Sequence, residues 1–375
     1  MITIRKATFT DKPAIFEFLN KAYKDKAQYK YPQRWEWQFE KNPFNTTAEI
    51  PVWLALNEVG TVVGHIGVMF EPLKMGTDSN KKTSWAVDLY VLPEYRNQKI
   101  GKRLTQAIYN DNDNLMALPM SEAFRHYITD LGVAPISPVK VFRRIAHFDS
   151  NSIQEAFRNR LVSNRLGRIF ANVLHLICLD KLIAALINQF MEVSNKKSLA
   201  KYLNNVDITP LDKFGEDIDR LWEEISPGFD AIIQRKSKYL NWKYICQPEM
   251  NYQCFTLSKD GSLKGYLILR KSRPPEDNCG IIADLFASCE DQPTITTAIA
   301  YAIQYFKHEN VKYIHSASSI VEFQLAYHQF GFKNIKVITP LIKWEKPARG
   351  SEAQKIPDKW FFSRSDHDWD QFPYA

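Results

Sequence analysis

Cysteine is scarce and one-sided in this 375-residue chain: there are five, none before Cys178, and no two are spaced as CxxC. A disulfide framework and a zinc site are therefore not expected, no other metal site is indicated, and a reducing compartment fits. Glycine (14) and proline (19) are too few for collagen-like or low-complexity character. Charge of one sign is also limited. The 49 Lys and Arg against 42 Asp and Glu leave +7, enough to favour anionic ligands and too little for a dedicated nucleic-acid binder. Met1 to Lys6 enters an alternating strand pattern without the basic stretch and apolar core of a secretory signal, so the reading is cytoplasmic. The longest apolar stretch, Ile169 to Phe190, carries His175, Asp180 and Lys181 near its middle and reads as a buried or interfacial helix, not a membrane span.

What is present is enough apolar residue, 45%, for real cores, in a length that suggests two domains. Ile2 and Ile4 alternate with polar neighbours, and after Asp11 the positions Ile15, Phe16, Leu19 and Ala22 follow a helical spacing. Val52 to Leu56 and Val62 to Phe70 flank a turn at Val59-Gly60 and read as a hairpin. Trp85 to Val91 is a further strand, and Ile100, Leu104 and Ile108 open a helix. A short apolar piece at Leu115 to Pro119 and a helix up to Leu131-Gly132 follow.

The second half repeats that order. Trp37-Gln38-Phe39 with Pro43 matches Trp242-Lys243-Tyr244 with Pro248, and Val63-Gly64 matches Lys264-Gly265. Ala86 to Tyr90 matches Ile282 to Phe286, and Leu131-Gly132-Val133 matches Phe330-Gly331-Phe332. Four ordered matches at an offset of roughly two hundred residues mark a tandem duplication. Between the halves runs a stretch with no strand signal, basic at Arg158, Arg160, Arg165 and Arg168 and apolar from Leu174 to Ile187. It reads as two packed helices bridging the domains, with a basic amphipathic surface for a membrane or an anionic glycan as the alternative. After Pro347 the tail carries Trp360-Phe361-Phe362 and then Asp366, Asp368 and Asp370; its aromatics are expected to dock on a domain.

The segment richest in chemistry is Val91 to Leu104, where a strand ends, a tight loop holding Arg96, Asn97, Gln98 and Lys99 follows, and a helix starts at Ile100. Unpaired N–H groups at a helix start can hold a diphosphate. Gly101 would let phosphate oxygens approach, and Lys99, Lys102 and Arg103 add positive charge. An ordinary surface helix with solvated lysines explains the same residues.

Val91, Pro93, Tyr95, Arg96, Ile100, Gly101 and Leu104 resemble the acetyl-coenzyme A loop of the GNAT superfamily of N-acetyltransferases, V-x-P-x-x-R-G-x-G-[IVL]-G-x-x-L. The chain departs from that pattern at Asn97 and Lys99, where glycines are usual. Ile4 to Ala7 with Asp11, the strand Val62 to Phe70, and Leu131-Gly132-Val133 extend the likeness over residues 1 to about 147. The resemblance implies an α/β (α+β) fold: two tandem GNAT-like domains, each a mixed, splayed sheet flanked by helices, joined by a helical connector. It places a cofactor domain at 1–148, the connector at 149–205, a worn GNAT-like domain at 206–347 and a tail at 348–375. It further implies acetyl-coenzyme A as co-substrate, held at Leu89, Tyr90 and Val91 and at the loop from Arg96 through Gln98 and Ile100 to Arg103. Transfer would be direct, to an amine.

Asp88, entering the splay, is the candidate base, with a purely structural carboxylate as the equal alternative. Tyr127, next to the place where the family often has its acid, is the candidate donor to the leaving thiolate, although an ordinary core or surface tyrosine accounts for it too. His65 and Glu36 are further candidates near the cleft. In the second half Ser288 to Thr294 replaces the loop, with Glu290 and Asp291 where bases would be, so loss of the cofactor is expected there. The acceptor is a small-molecule or glycan amine, an amino sugar being the guess; peripheral membrane contact stays open. The alternatives are a Fem-type aminoacyl transferase and a non-catalytic coenzyme A or glycan receptor.

Overall fold

A computed structural model describes the chain except residues 48, 120, 152, 155–178, 274–277, 345–356, 358 and 372–375. The arginines expected to make the connector basic lie outside the described residues, as does the first part of the Ile169 to Phe190 stretch.

The first half opens with β1 (Thr3–Lys6) and α1 (Lys12–Tyr23). Asp11 ties the two together by accepting from Thr8 N (2.8 Å) and from both terminal nitrogens of Arg5 (2.7 Å each). Ile15, Phe18, Leu19 and Ala22 bury the apolar stripe of α1, and Pro13 suits its first turn. Next come β2 (Val52–Leu56), β3 (Val62–Met75) and β4 (Asp78–Val91), then α2 (Ile100–Asp111), β5 (Leu115–Ala117) and α3 (Glu122–Thr129). β3 and β4 pair as far as Met75 and Asp78, well beyond the strands that the apolar runs mark. The polar extension is hidden from a hydropathy reading because its central acid, Glu71, is itself buried against Lys243 (3.0 Å), Tyr239 Oη (3.1 Å) and Trp85 Nε1 (2.9 Å).

Two short strands close the half, β6 (Ala134–Pro135) and β7 (Val139–Ile145). α4 (Leu179–Leu203) belongs to the connector. The second half contains β8 (Asp207–Leu211), α5 (Glu216–Ile225), β9 (Ala231–Ile233), β10 (Tyr252–Lys259), β11 (Ser262–Lys271) and β12 (Cys279–Ala287). It continues with α6 (Gln292–His308), β13 (Tyr313–Ser318), α7 (Val321–Gln329), β14 (Lys333–Ile338) and β15 (Leu341–Lys343), and β16 (Trp360–Phe361) lies in the tail.

The strand orders β1-β2-β3-β4-β5-β15-β6 and β8-β10-β11-β12-β13-β7-β14 are the same plan with one exchange. β7 leaves the first half to sit between β13 and β14, and β15 leaves the second half to sit between β5 and β6. The two crossing segments touch, Ile136 N donating to Pro340 O at 3.0 Å. Pro138 and Pro340, which favour extended backbone before them, stand in these crossings where a tight hairpin would otherwise form. The sequence limits 148 and 206 therefore separate stretches of chain, while each sheet contains a strand from both.

The repeat is visible in detail. Glu36–Glu40 and Asn241–Ile245 are both π-helical turns, at the two Trp-x-aromatic motifs. The expected docking of the tail is also present: Trp360, Phe361 and Phe362 are buried, and β16 pairs with β9. Its acids are buried too, each beside a buried arginine. Arg235 Nη2 lies 2.8 Å from Asp366, Arg34 Nη2 lies 2.8 Å from Asp368, and Arg270 Nε lies 3.8 Å from Asp370.

Candidate functional site

β4 pairs in parallel with β5 only over Ser84–Ala86 and Leu115–Ala117, because β5 ends there. On its other side β4 stays with β3 but slips register between His65 and Gly67, with Asp88 in the left-handed region at φ 57°. The bulge turns the strand, and Val87 to Val91 present an edge with no β5 partner. This is the splay that the sequence likeness implies.

The chain then passes through a 3-10 turn at Pro93–Tyr95 into the loop. Asn97 and Lys99 have φ of 67° and 57°. The two positions that depart from the glycine pattern thus keep the backbone shape that glycine adopts freely and other residues adopt at a cost. Lys99 is the N-cap of α2 and makes no side-chain cap, so the N–H groups of Ile100, Gly101 and Lys102 face forward without a helical carbonyl. A cleft of about 710 Å³ lies between this loop and α3.

Nine of the eleven cofactor candidates line it: Leu89, Tyr90 and Val91 from the splayed strand, Arg96, Asn97 and Lys99 from the loop, and Ile100, Gly101 and Lys102 from the helix start. Gln98 and Arg103 do not; Arg103 Nη2 instead donates to Ile2 O at 3.0 Å. Arg96 is held in place by its Nε bond to Val91 O (3.2 Å) and by the Tyr90 ring, 5.6 Å from its guanidinium carbon. Tyr127 lines the cleft from α3. A Cβ added at Gly101 would lie 2.9 Å from Tyr127 Cε2, so the close approach this glycine permits is that of the Tyr127 ring.

Asp88 does not line this cleft. It forms an ion pair with Lys30, both side chains being buried. Burial lowers the Lys30 pKa, an effect that Asp88 opposes. A second pair continues from there: Arg34 binds Asp368, and His367 Nε2 donates to Ala86 O on β4 at 3.1 Å. Burial pushes the Asp368 carboxyl up, but His367, Arg34 and Lys30 more than offset this and hold it well below the usual carboxylate range. The sequence reading missed Lys30, Arg34 and the tail acids because their partners are remote in the chain. His65 is 1% exposed, its Nδ1 has no hydrogen-bond partner, and burial lowers its pKa. Glu36 accepts from Lys12 (2.9 Å) and Lys41 (3.0 Å) and lines a separate groove with Trp37 and Trp242.

The corresponding place in the second half differs in two respects. Asp291 caps α6 with its own carboxylate, accepting from Thr294 N (3.1 Å) and Oγ1 (2.7 Å). The gap between β12 and β13, which pair only over Cys279–Ile281 and Tyr313–His315, is filled by the tail. Ser363 bridges to Ser318, Ser365 N donates to Ala283 O at 2.9 Å, and Phe361 packs on Phe229, Phe286 and Phe323. Only about 10 Å³ is left there. Among the described residues no cluster of His, Cys, Asp or Glu suits a metal ion.

Residues 13–111 match the Acetyltransferase (GNAT) family model. No curated relative matches the chain in sequence. Among solved structures, a GCN5-related N-acetyltransferase from Anabaena variabilis shares 12% identity and superposes with a TM-score of 0.55 over 91% of this chain and 72% of that one. N-myristoyltransferase from Saccharomyces cerevisiae, solved with bound myristoyl-CoA, shares 11% identity with a TM-score of 0.55, over 91% of this chain and 82% of its own. A probable N-acyltransferase from Enterococcus faecalis shares 10% identity with a TM-score of 0.52, over 94% and 76%. Residues 13–111 thus match the GNAT acetyltransferase model, and the chain as a whole shares its fold with these proteins, its second sheet repeating the strand order of the first.

Proposed function

We propose that the chain moves an acetyl group directly from acetyl-coenzyme A to a primary amine, with the cofactor in the cleft of the first sheet. The observation that carries this reading is the contrast between the two clefts: one is open beside an uncapped helix start, the other is capped by Asp291 and filled by the tail. The residues of the first cleft fit an anionic thioester cofactor. The left-handed backbone at Asn97 and Lys99 brings consecutive N–H groups to the cleft, and Arg96, Lys99 and Lys102 add positive charge. Acetyl-coenzyme A, when bound, would supply an activated acyl group, with the thiolate of coenzyme A as leaving group.

The chain's own part is positioning and proton handling. The free edge of Leu89 to Val91 offers backbone N–H groups that orient an acyl carbonyl and stabilise charge developing on its oxygen. Tyr127, on the cleft wall, is the hydroxyl we assign to protonate the leaving thiolate as the C–N bond forms and the C–S bond breaks; the proton the amine loses passes through water and restores the tyrosine. Asp88 pairs with Lys30 and does not line the cleft. We therefore assign Asp88 to holding the bulge that opens the splay. Arg235 and Asp284 (3.5 Å) form the same kind of pair in the half whose cleft is filled. An amino sugar or another glycan-derived amine is the acceptor class to try first.

Calorimetry with coenzyme A should give one site per chain, and Gly101→Asp should abolish binding by displacing Tyr127 and adding negative charge. Two sites, or undiminished binding by that variant, would refute the placement. Thiol release from acetyl-coenzyme A with a panel of primary amines, glucosamine included, then tests the transfer.

A further inference from the structure

α4 packs one side against the second half: Ala184 and Leu199 are buried, Tyr202 O accepts from Thr297 Oγ1 at 2.8 Å, and Glu192 pairs with Lys307 at 2.7 Å. Its other side is bare and apolar. Leu182, Leu186, Phe190 and Val193 are 54%, 57%, 75% and 65% exposed. Their spacing puts them on one stripe about 16 Å long, at 1.5 Å of rise per residue. A single exposed leucine needs no explanation, but four large apolar side chains in a row on one helix form a patch that a monomeric protein in water ordinarily covers.

The charge around this stripe narrows the choice of partner. α4 carries four lysines, Lys181, Lys196, Lys197 and Lys201, against Asp180 and Glu192. Neither acid offsets them at the surface: Asp180 is buried with Ser150 and Gln154, and Glu192 is paired. Lys181, Lys197 and Lys201 of α4 are exposed. A second copy of the chain would bring the same positive surplus against itself. Exposed lysines on the same helix as an apolar stripe suit a negatively charged surface with an apolar interior. Among the described residues no helix is long and apolar enough to cross a membrane, so contact would be from the side.

We propose that the exposed face of α4 lies on the surface of an anionic lipid bilayer, its apolar stripe entering the headgroup boundary and its lysines meeting lipid phosphates. The proposal is independent of the acyl-transfer reading, since it involves neither cleft.

The test is sedimentation of the full chain with phosphatidylcholine vesicles made with and without phosphatidylglycerol. Binding should be at least about tenfold stronger to the anionic vesicles and should weaken with salt, as attraction to charged lipid requires. Leu186→Glu combined with Phe190→Glu should reduce it by about tenfold or more while coenzyme A affinity stays the same. Phe190→Trp gives a second readout that does not depend on the double variant folding, because its emission should shift to the blue when anionic vesicles are added. Failure of the full chain to sediment, equal sedimentation of a folded double variant, or an unmoved Phe190→Trp spectrum would each overturn the proposal. So would light scattering that shows a dimer dispersed by the double variant without vesicle binding, which would assign the stripe to a second copy.

Discussion

Trp37 and Trp242 stack face to face, with ring centroids 4.7 Å apart and 14° between their planes. Each indole N–H donates to the other residue's carbonyl, Trp37 Nε1 at 2.9 Å and Trp242 Nε1 at 3.4 Å. They occupy equivalent places in the two halves, so an internal repeat meets itself at this point. Replacing either by alanine should cost about 3–5 kcal/mol, as for other buried tryptophans. The double replacement should cost less than the sum by roughly 1 kcal/mol, since the first change already removes the second ring's partner. A double-mutant cycle in urea measures this, and strict additivity would show that the pair does not act as a unit.

The loop before α2 holds two non-glycine residues, Asn97 and Lys99, in left-handed backbone. Asn97→Gly and Lys99→Gly each relieve that strain, and part of the gain is offset by the greater freedom of glycine in the unfolded chain. Each should raise stability by up to about 1 kcal/mol without weakening coenzyme A binding. Lys99→Val, with a branched Cβ, should lower stability by roughly 1–2 kcal/mol. Thermal unfolding of the three variants decides, and a stabilised Lys99→Val would contradict the assignment.

Removing one member of a buried ion pair leaves the other charged without a partner. Lys30→Met and Asp88→Asn should therefore each destabilise the chain by about 3–5 kcal/mol, and Lys30→Met with Asp88→Leu should recover most of that loss. Tyr127→Phe, by contrast, should leave stability and cofactor affinity near wild type and reduce turnover by roughly 10²–10⁴-fold. An Asp88→Asn protein that is fully stable yet inactive would restore Asp88 as the base.

His65 is buried without a partner for Nδ1, and burial holds its pKa below the ordinary 6.5. The unfolded chain then binds a proton more readily than the folded one between that depressed value and 6.5. Its contribution is present in full above 6.5 and is lost as pH falls through the folded value. Unfolding free energy followed against pH should drop on acidification from 6.5 toward the depressed folded value, and His65→Gln should drop less. The difference between the two curves isolates this residue from Glu71, whose pKa burial raises and which therefore tends the other way. Identical curves would remove His65 from the account.

The sequence by itself determined what depends on neighbours in the chain. Ile15, Leu19 and Ala22 follow the helical period, although the buried aromatic between them is Phe18 and not the Phe16 of that reading; Val62 to Phe70 reads as a strand, and Val91 to Leu104 shows a strand turning through a basic loop into a helix, all by local order. The repeat was legible for the same reason, because a duplication preserves order as well as residue type. The roles proposed for Arg96 and Tyr127 were approachable only through the family likeness, and the left-handed backbone that Asn97 and Lys99 keep could not be read from residue type.

What only the tertiary structure decided is everything that joins residues far apart. No local pattern shows that β7 and β15 change sheets, because an exchanged strand has the same alternation as one that stays. Asp366, Asp368 and Asp370 resemble a solvated acidic tail until Arg235, Arg34 and Arg270 are placed beside them. The lysine for Asp88 stands 58 positions away. Folding a long chain back on itself is what turns these charges from surface residues into buried pairs, and a buried charge is tolerated only when its partner arrives with it.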